Sequence, residues 1–275
     1  MLNKIKLGVS TFLIGKKDFD WFFDQIKDFP INYIEFKTDP PNFPPQELKD
    51  SDIKNIKDKL KKANLKPTVH APIYDVNLAS LNHKIREASI KSILESLYFA
   101  QKINAEILIV HAGHLPKDYP ERFFPSAYEN ALNSLRQLAQ EAGKFRILVG
   151  LENNAKSKNY VMIKGKDEHL SLIQEVNSSN LKMVLDIGHA NLFGASLEDY
   201  LTSVSPYLCE IHLHNNFGEK DNHSSLDNGE IDIKNLIELT KKLDLSIPLI
   251  LEMDKMEDFK KSFEFLVKQR VISKD

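Results

Sequence analysis

The stretch Tyr207–Gly229, YLCEIHLHNNFGEKDNHSSLDNG, brings His212, His214, Asp221 and His223 close together along the chain. Imidazoles and carboxylates in one short stretch are the donor set of zinc, manganese or iron. His212 and His214 stand two apart at the end of an alternating apolar run (Leu208, Ile211, Leu213) that reads as a strand. On a strand both would project from one face. A polar surface loop with scattered histidines explains this stretch equally well. The decision rests on what else the fold carries to the same place.

The elements around the stretch follow a repeating order. Strands are expected at Lys4–Val9, Ile31–Phe36, Pro67–Ala71, Ala105–Val110, Arg146–Leu151, Leu181–Leu185, from Leu208 to Leu213, and at Pro248–Leu251. Helices are expected at Asp18–Phe29, Ser51–Ala63, His83–Ile103, Pro125–Ala142, Glu168–Asn177, Leu197–Val204, Ile233–Leu243 and Asp258–Lys268. Pro125 opens its helix and Gly143 is expected just past its end. The proline-dense segment DPPNFPP after the second strand is a loop. Eight strands alternating with eight helices, with no linker or composition break, describe a single-domain (β/α)8 TIM barrel over residues 1–275. A doubly wound open sheet fits less well. It usually has fewer strands, and the first turn, STFLIGKKD, lacks the glycine-rich phosphate signature.

In such a barrel the C-terminal strand ends meet at one mouth, where catalysis is placed. His70, His111, Glu152, Asp186, His189, His212, Asp221, His223 and Glu252 would converge there. Each alone is more often a hydrogen-bonded structural histidine, a turn cap or a solvated loop carboxylate. Six consecutive strands ending this way is a different case. Buried unpaired carboxylates repel one another and cost several kcal/mol unless a cation neutralises them. The pattern therefore points to a divalent metal centre.

Composition narrows the partners. The chain of 275 residues is 42% hydrophobic and 28% charged, with a formal net charge of −2. There is no global basic field to draw nucleic acid, although a local patch stays open. Cys209 is the one cysteine, so no internal disulfide forms and a reducing cytoplasm suits the chain. MLNKIKLGVS lacks the apolar core of a signal peptide, and no run is long enough to span a membrane.

Several segments carry a resemblance: VHAPIYDVNLAS, IREASI, ILIVHAGH, LENN, LDIGHANLFG, HLHNNFGEKDNH and LILE. From about Val69 to Glu252 the chain resembles the xylose isomerase-like barrel superfamily, which also contains endonuclease IV. The resemblance implies two branches. In the sugar isomerases and epimerases one divalent metal is held at the positions of Glu152, Asp186, His212 and Glu252. Glu152 and Glu252 would also move the proton through an enediolate, and His189 would meet a substrate hydroxyl. His214, Tyr74 and Asn153 are further expected substrate contacts, with His214 at the rim. In endonuclease IV three zinc ions would take all nine positions: His70, His111 and Glu152; then Glu152, Asp186, His212 and Glu252; then His189, Asp221 and His223. One departure is Gly218, where the ketose epimerases have an arginine. Another is the strand-two loop, TDPPNFPP, which has no arginine to probe DNA.

The leading expectation is a metal-dependent sugar or sugar-phosphate isomerase or epimerase, using one to three zinc or manganese ions. A zinc-dependent abasic-site endonuclease is the alternative, and a metal-stapled binding protein is a third class. DNA is the disfavoured partner, a membrane is excluded, and a homo-oligomer is left open.

Overall fold

A computed structural model describes residues 5–14 and 19–272, residue 14 by its backbone alone. Eight parallel strands close into a barrel. They are β1 Lys6–Ser10, β2 Tyr33–Lys37, β3 Lys66–His70, β4 Ile107–His111, β5 Leu148–Glu152, β6 Leu181–Asp186, β7 Leu208–Leu213 and β8 Pro248–Leu251. Each pairs with the next, and β8 closes on β1 with Gly8 opposite Ile250. Around them lie α1 Phe19–Ile26, α2 Asp50–Ala63, α3 His83–Ile103, α4 Phe124–Gly143, α5 Lys166–Val176, α6 Ile187–Leu192, α7 Leu197–Val204, α8 Ile233–Lys242 and α9 Met256–Lys268. The expected (β/α)8 barrel is the observed fold. Lys4 and Asp18, expected to open β1 and α1, lie outside the described residues, as does the rest of Gly15–Asp18.

Local chemistry sets where the helices stop. Asn64, Asn104 and Asn177 end α2, α3 and α5 in the left-handed conformation, at φ 54°, 62° and 51°. Asparagine tolerates that region, and there it returns the chain toward the next strand. Gly143 was expected to do this for α4. It is instead the last residue of the helix, and Arg146 takes the positive φ, at 59°. The Asn180 side chain packs over Gly143, its Nδ2 lying 2.3 Å from where a Cβ would stand. The helix α6 was missed because six residues are too few to show a periodicity. A two-stranded antiparallel ribbon, His114–Leu115 with Tyr160–Val161, was missed for the same reason.

The main core lies between barrel and helices. Inside the barrel a second cluster of Ile107, Ile109, Val184 and Cys209 packs together. Gly150 belongs beside it, since a Cβ would come within 2.6 Å of Val184 Cγ2. Burial raises the Cys209 thiol well above its ordinary range, so it stays protonated and unreactive. Among the described residues no helix is long and apolar enough to cross a membrane.

His169 shows how the outer layer is pinned. It is fully buried on α5, with Nε2 donating to the Leu151 carbonyl at 2.8 Å and Nδ1 accepting from the Tyr200 hydroxyl of α7 at 2.9 Å. Burial pushes its pKa down to about 4, against the pull of the Leu151 carbonyl. Folding thus favours neutral His169, whereas the unfolded chain takes up a proton below about 6.5. The stability this group supplies is complete above pH 6.5 and is lost as pH falls toward about 4, on the order of 3 kcal/mol. Denaturant titrations from pH 7 to 4 should show that loss, and His169→Gln should flatten this part of the profile. An unchanged profile in the variant would remove His169 from the account.

Candidate metal centre

The strand ends build the site in order. His70 ends β3, His111 ends β4, Glu152 ends β5 and Asp186 ends β6. His212 lies one residue before the end of β7, with His214 just past it, and Glu252 directly follows β8. The parallel register sets His111 opposite Glu152 and Asp186 opposite His212. Among the described residues four groups result: His70, His111 and Glu152; Glu152, Asp186, His212 and Glu252; His189, His214, Asp221 and His223; and, deeper in the barrel, Glu35, Glu210 and His212. Within each, the donor atoms lie within 4.8 Å of one another. Glu152 joins the first two groups. Its Oε2 is 2.9 Å from His70 Nε2 and 3.0 Å from His111 Nε2, and its Oε1 is 3.2 Å from His212 Nδ1.

Backbone carbonyls orient three of the imidazoles. Nδ1 of His70, His189 and His223 faces the carbonyls of Ala71, Asn153 and Glu252 at 2.7, 2.9 and 2.8 Å. Each Nε2 is thereby turned into the cluster, the arrangement a metal-binding histidine needs. Asp186 caps α6 by accepting from the His189 backbone N–H at 2.7 Å, which places His189 one turn from it. The loop carrying Asp221 and His223 is tied by Asn215. Its backbone pairs with Ser224, and its side chain bonds Leu226 O, Ile231 O and the Ile231 and Asn216 N–H groups.

A family model described as xylose isomerase-like TIM barrel matches residues 23–269. The chain belongs to that family. An uncharacterised protein of Methanocaldococcus jannaschii is 30% identical, over 71% of this chain and 74% of its own length. A probable endonuclease 4 of Mycobacterium tuberculosis is 29% identical, over 66% of this chain and 71% of its own. The crystal structure of a D-tagatose 3-epimerase-like protein superposes with a TM-score of 0.87 at 22% identity, covering 97% of each chain.

Within this xylose isomerase-like barrel the structure adds three buried groups that the sequence did not reveal. Glu35 and Lys37 lie on β2, and Glu210 lies on β7. The Lys37 ammonium contacts Glu252 Oε1 directly and lies 5.3 Å from the centre of the Phe12 ring. Burial works against its charge, but Glu252, Glu35 and Glu152 outweigh burial and raise its pKa. Burial likewise opposes ionisation of Glu152, yet His111 and His212 hold its carboxyl well below the ordinary range. For Glu252, Lys37 and His212 do the same. Glu210 goes the other way: burial pushes it up to about 8 despite the pull of His212. The signal for β2 was present in IEFK, an alternation whose inward positions are both charged.

Two of the residues expected to contact substrate lie away from the cavity lining. His214 is fully buried, not at the rim: Nε2 is 2.9 Å from Asp186 Oδ1, and its ring stacks on His223 at 4.1 Å. Asn153 does not reach the pocket. Its amide donates to Asp186 O at 2.9 Å and accepts from Asp186 N at 2.8 Å, locking β5 to β6. Its neighbour Asn154 lines the cavity instead. Tyr74 stands exposed at the mouth, on a loop held by Asp39, which accepts from the Ile73 and Tyr74 N–H groups. Gly218 takes φ +75°, a backbone conformation that would strain an arginine at this position.

Lys37→Met should separate the ammonium's structural part from its electrostatic one. Removing one partner of a buried ion pair costs on the order of 3–5 kcal/mol. The metal-free variant should show that loss in urea titrations, and added zinc should recover part of it by supplying Glu252 with another cation. Equal losses with and without zinc would separate Glu252 from the metal.

Proposed function

We propose that this protein is a metal-dependent isomerase or epimerase of sugars or sugar phosphates. The observation that carries the reading is the cavity above the cluster. It holds about 390 Å³, with Glu152 and Glu252 among its lining residues together with Lys37, His189, Asn154, Asn159, Phe12 and Tyr74. That is the scale of a small-molecule pocket. Aromatic faces beside amides and carboxylates suit a polyhydroxylated ring.

The donor set fits a divalent ion. Glu152, Asp186, His212 and Glu252 are each no more than 1% exposed, and their donor atoms lie within 4.8 Å of one another. Three carboxylates and an imidazole suit zinc or manganese. Bound there, the ion would polarise a substrate carbonyl and offset the charge of an enediolate. Glu152 and Glu252, on strands three apart around the barrel, would take the proton from the carbon beside the carbonyl and return it. Lys37 keeps Glu252 ionised and ready to accept. His189 would hold a substrate hydroxyl. The fold likeness to a D-tagatose 3-epimerase-like protein is consistent with this chemistry.

A second reading, a zinc-dependent abasic-site phosphodiesterase, is favoured by the convergence of all nine expected donors and by the likeness to a probable endonuclease 4. Two features weigh against it. None of the described pocket-lining residues is an arginine. With His214 the third group offers four protein donors, enough to hold a zinc ion there without a phosphate oxygen.

The test is exchange of the carbon-bound proton in deuterated water, followed by NMR over a panel of ketoses and ketose phosphates with zinc or manganese. The wild type should wash deuterium into one substrate. Glu152→Gln and Glu252→Gln should each lose at least about a hundredfold. No exchange on any member, together with stoichiometric nicking of an abasic-site duplex that Glu152→Gln abolishes, would establish the phosphodiesterase instead.

A further inference from the structure

His212 is held differently from the other histidines of the cluster. Its Nδ1 faces the site, 3.1 Å from Glu252 Oε2, 3.2 Å from Glu152 Oε1 and 3.9 Å from Asp186 Oδ2. Its Nε2 faces down the barrel axis onto two further acids. It donates to Glu210 Oε1 at 3.2 Å, and Glu35 Oε2 lies 3.0 Å away, off the line of that bond. His70, His189 and His223 turn Nε2 to the cluster and lean on carbonyls. His212 turns Nδ1 and leans on carboxylates.

Stability does not account for this pair. Glu35 and Glu210 are fully buried, and both oxygens of Glu35 and one of Glu210 have no hydrogen-bond partner. Unpartnered buried carboxylates cost free energy, and apolar residues of similar size in their place are commonly neutral or stabilising. What the pair does supply is an acceptor that keeps the proton on Nε2, so that Nδ1 is the nitrogen that would bind an ion held with Glu152, Asp186 and Glu252. An acid side chain behind an imidazole orients the ring and fixes its tautomer, as a carbonyl does for the other three.

We propose that Glu210, backed by Glu35, is a positioning residue that fixes the tautomer and orientation of His212 and so sets how tightly the Glu152–Asp186–His212–Glu252 group holds its ion. The proposal rests on the reading of that group as a metal site. It also explains why two acids lie inside a barrel layer otherwise built from apolar and small side chains.

The experiment compares the wild type with Glu210→Gln and with the double variant Glu35→Leu/Glu210→Leu. Zinc affinity is read by competition with a chelator, cobalt(II) coordination by its absorption bands, and the metal-free melting temperature by calorimetry. The double variant should melt no lower than the wild type without metal. Its zinc affinity should fall roughly 10–100-fold, with altered cobalt bands. Glu210→Gln should recover most of the affinity, because its amide oxygen still accepts from Nε2. Wild-type affinity and bands in the double variant would overturn the proposal. So would a zinc count lower by one with the remaining ions unchanged, since the two acids would then be ligands themselves. A double variant that fails to fold overturns it as well. A wild type that takes up no metal fails the underlying reading and this proposal together, whereas a metal-binding wild type with unaffected variants fails only the proposal.

Discussion

Among the described residues, five carboxylates lie within 4 Å of the His212 imidazole: Glu35, Glu152, Asp186, Glu210 and Glu252. None is more than 1% exposed. Negative charge at that density cannot be buried without compensation. Lys37 answers part of it, and His70, His111, His189, His214 and His223 ring the remainder. Burial and neighbours then divide the acids. Glu152 and Glu252 are held ionised by adjacent positive groups, while Glu210, deeper in the barrel, is pushed toward its neutral form. The arrangement is costly as a piece of core and well suited to holding a cation.

The barrel makes that concentration possible. Parallel strands fix adjacent ends in register, so residues far apart in the chain arrive side by side, as His111 does beside Glu152. The helices give the strands apolar cover on their outer faces, leaving the inner faces free to carry charge. Loops complete the cup around the residues at the strand ends. The segment after β7, knotted on Asn215, delivers Asp221 and His223, and Asp39 steadies the rim at Tyr74.

Much of this was legible in the residues because strand ends are marked twice, by an apolar run and by the polar residue that stops it. Glu152, Asp186 and Glu252 each follow such a run. Residues that do not stop a run were hidden. Glu35 lies mid-strand between apolar neighbours, and Glu210 lies between Cys209 and Ile211. Both resemble the solvent side of a half-exposed strand until closure of the barrel removes that side. His214 misled in the opposite direction. Its position past the strand suggested a rim, but the short α6, invisible as a pattern, folds Gly188 against its ring.

That contact has a consequence for how such sequences drift. A Cβ on Gly188 would lie 1.9 Å from His214 Cε1 and within 2.5 Å of both ring nitrogens. Gly188 is needed for its lack of volume, since its backbone is ordinary helix. The two positions are therefore sterically one character. A lineage that retains an imidazole at 214 is bound to glycine at 188, and one that shrinks residue 214 frees position 188 to gain a side chain. Across relatives a side chain at 188 should appear only where 214 has lost its imidazole, so a residue larger than glycine there reports that no imidazole lies against Asp186.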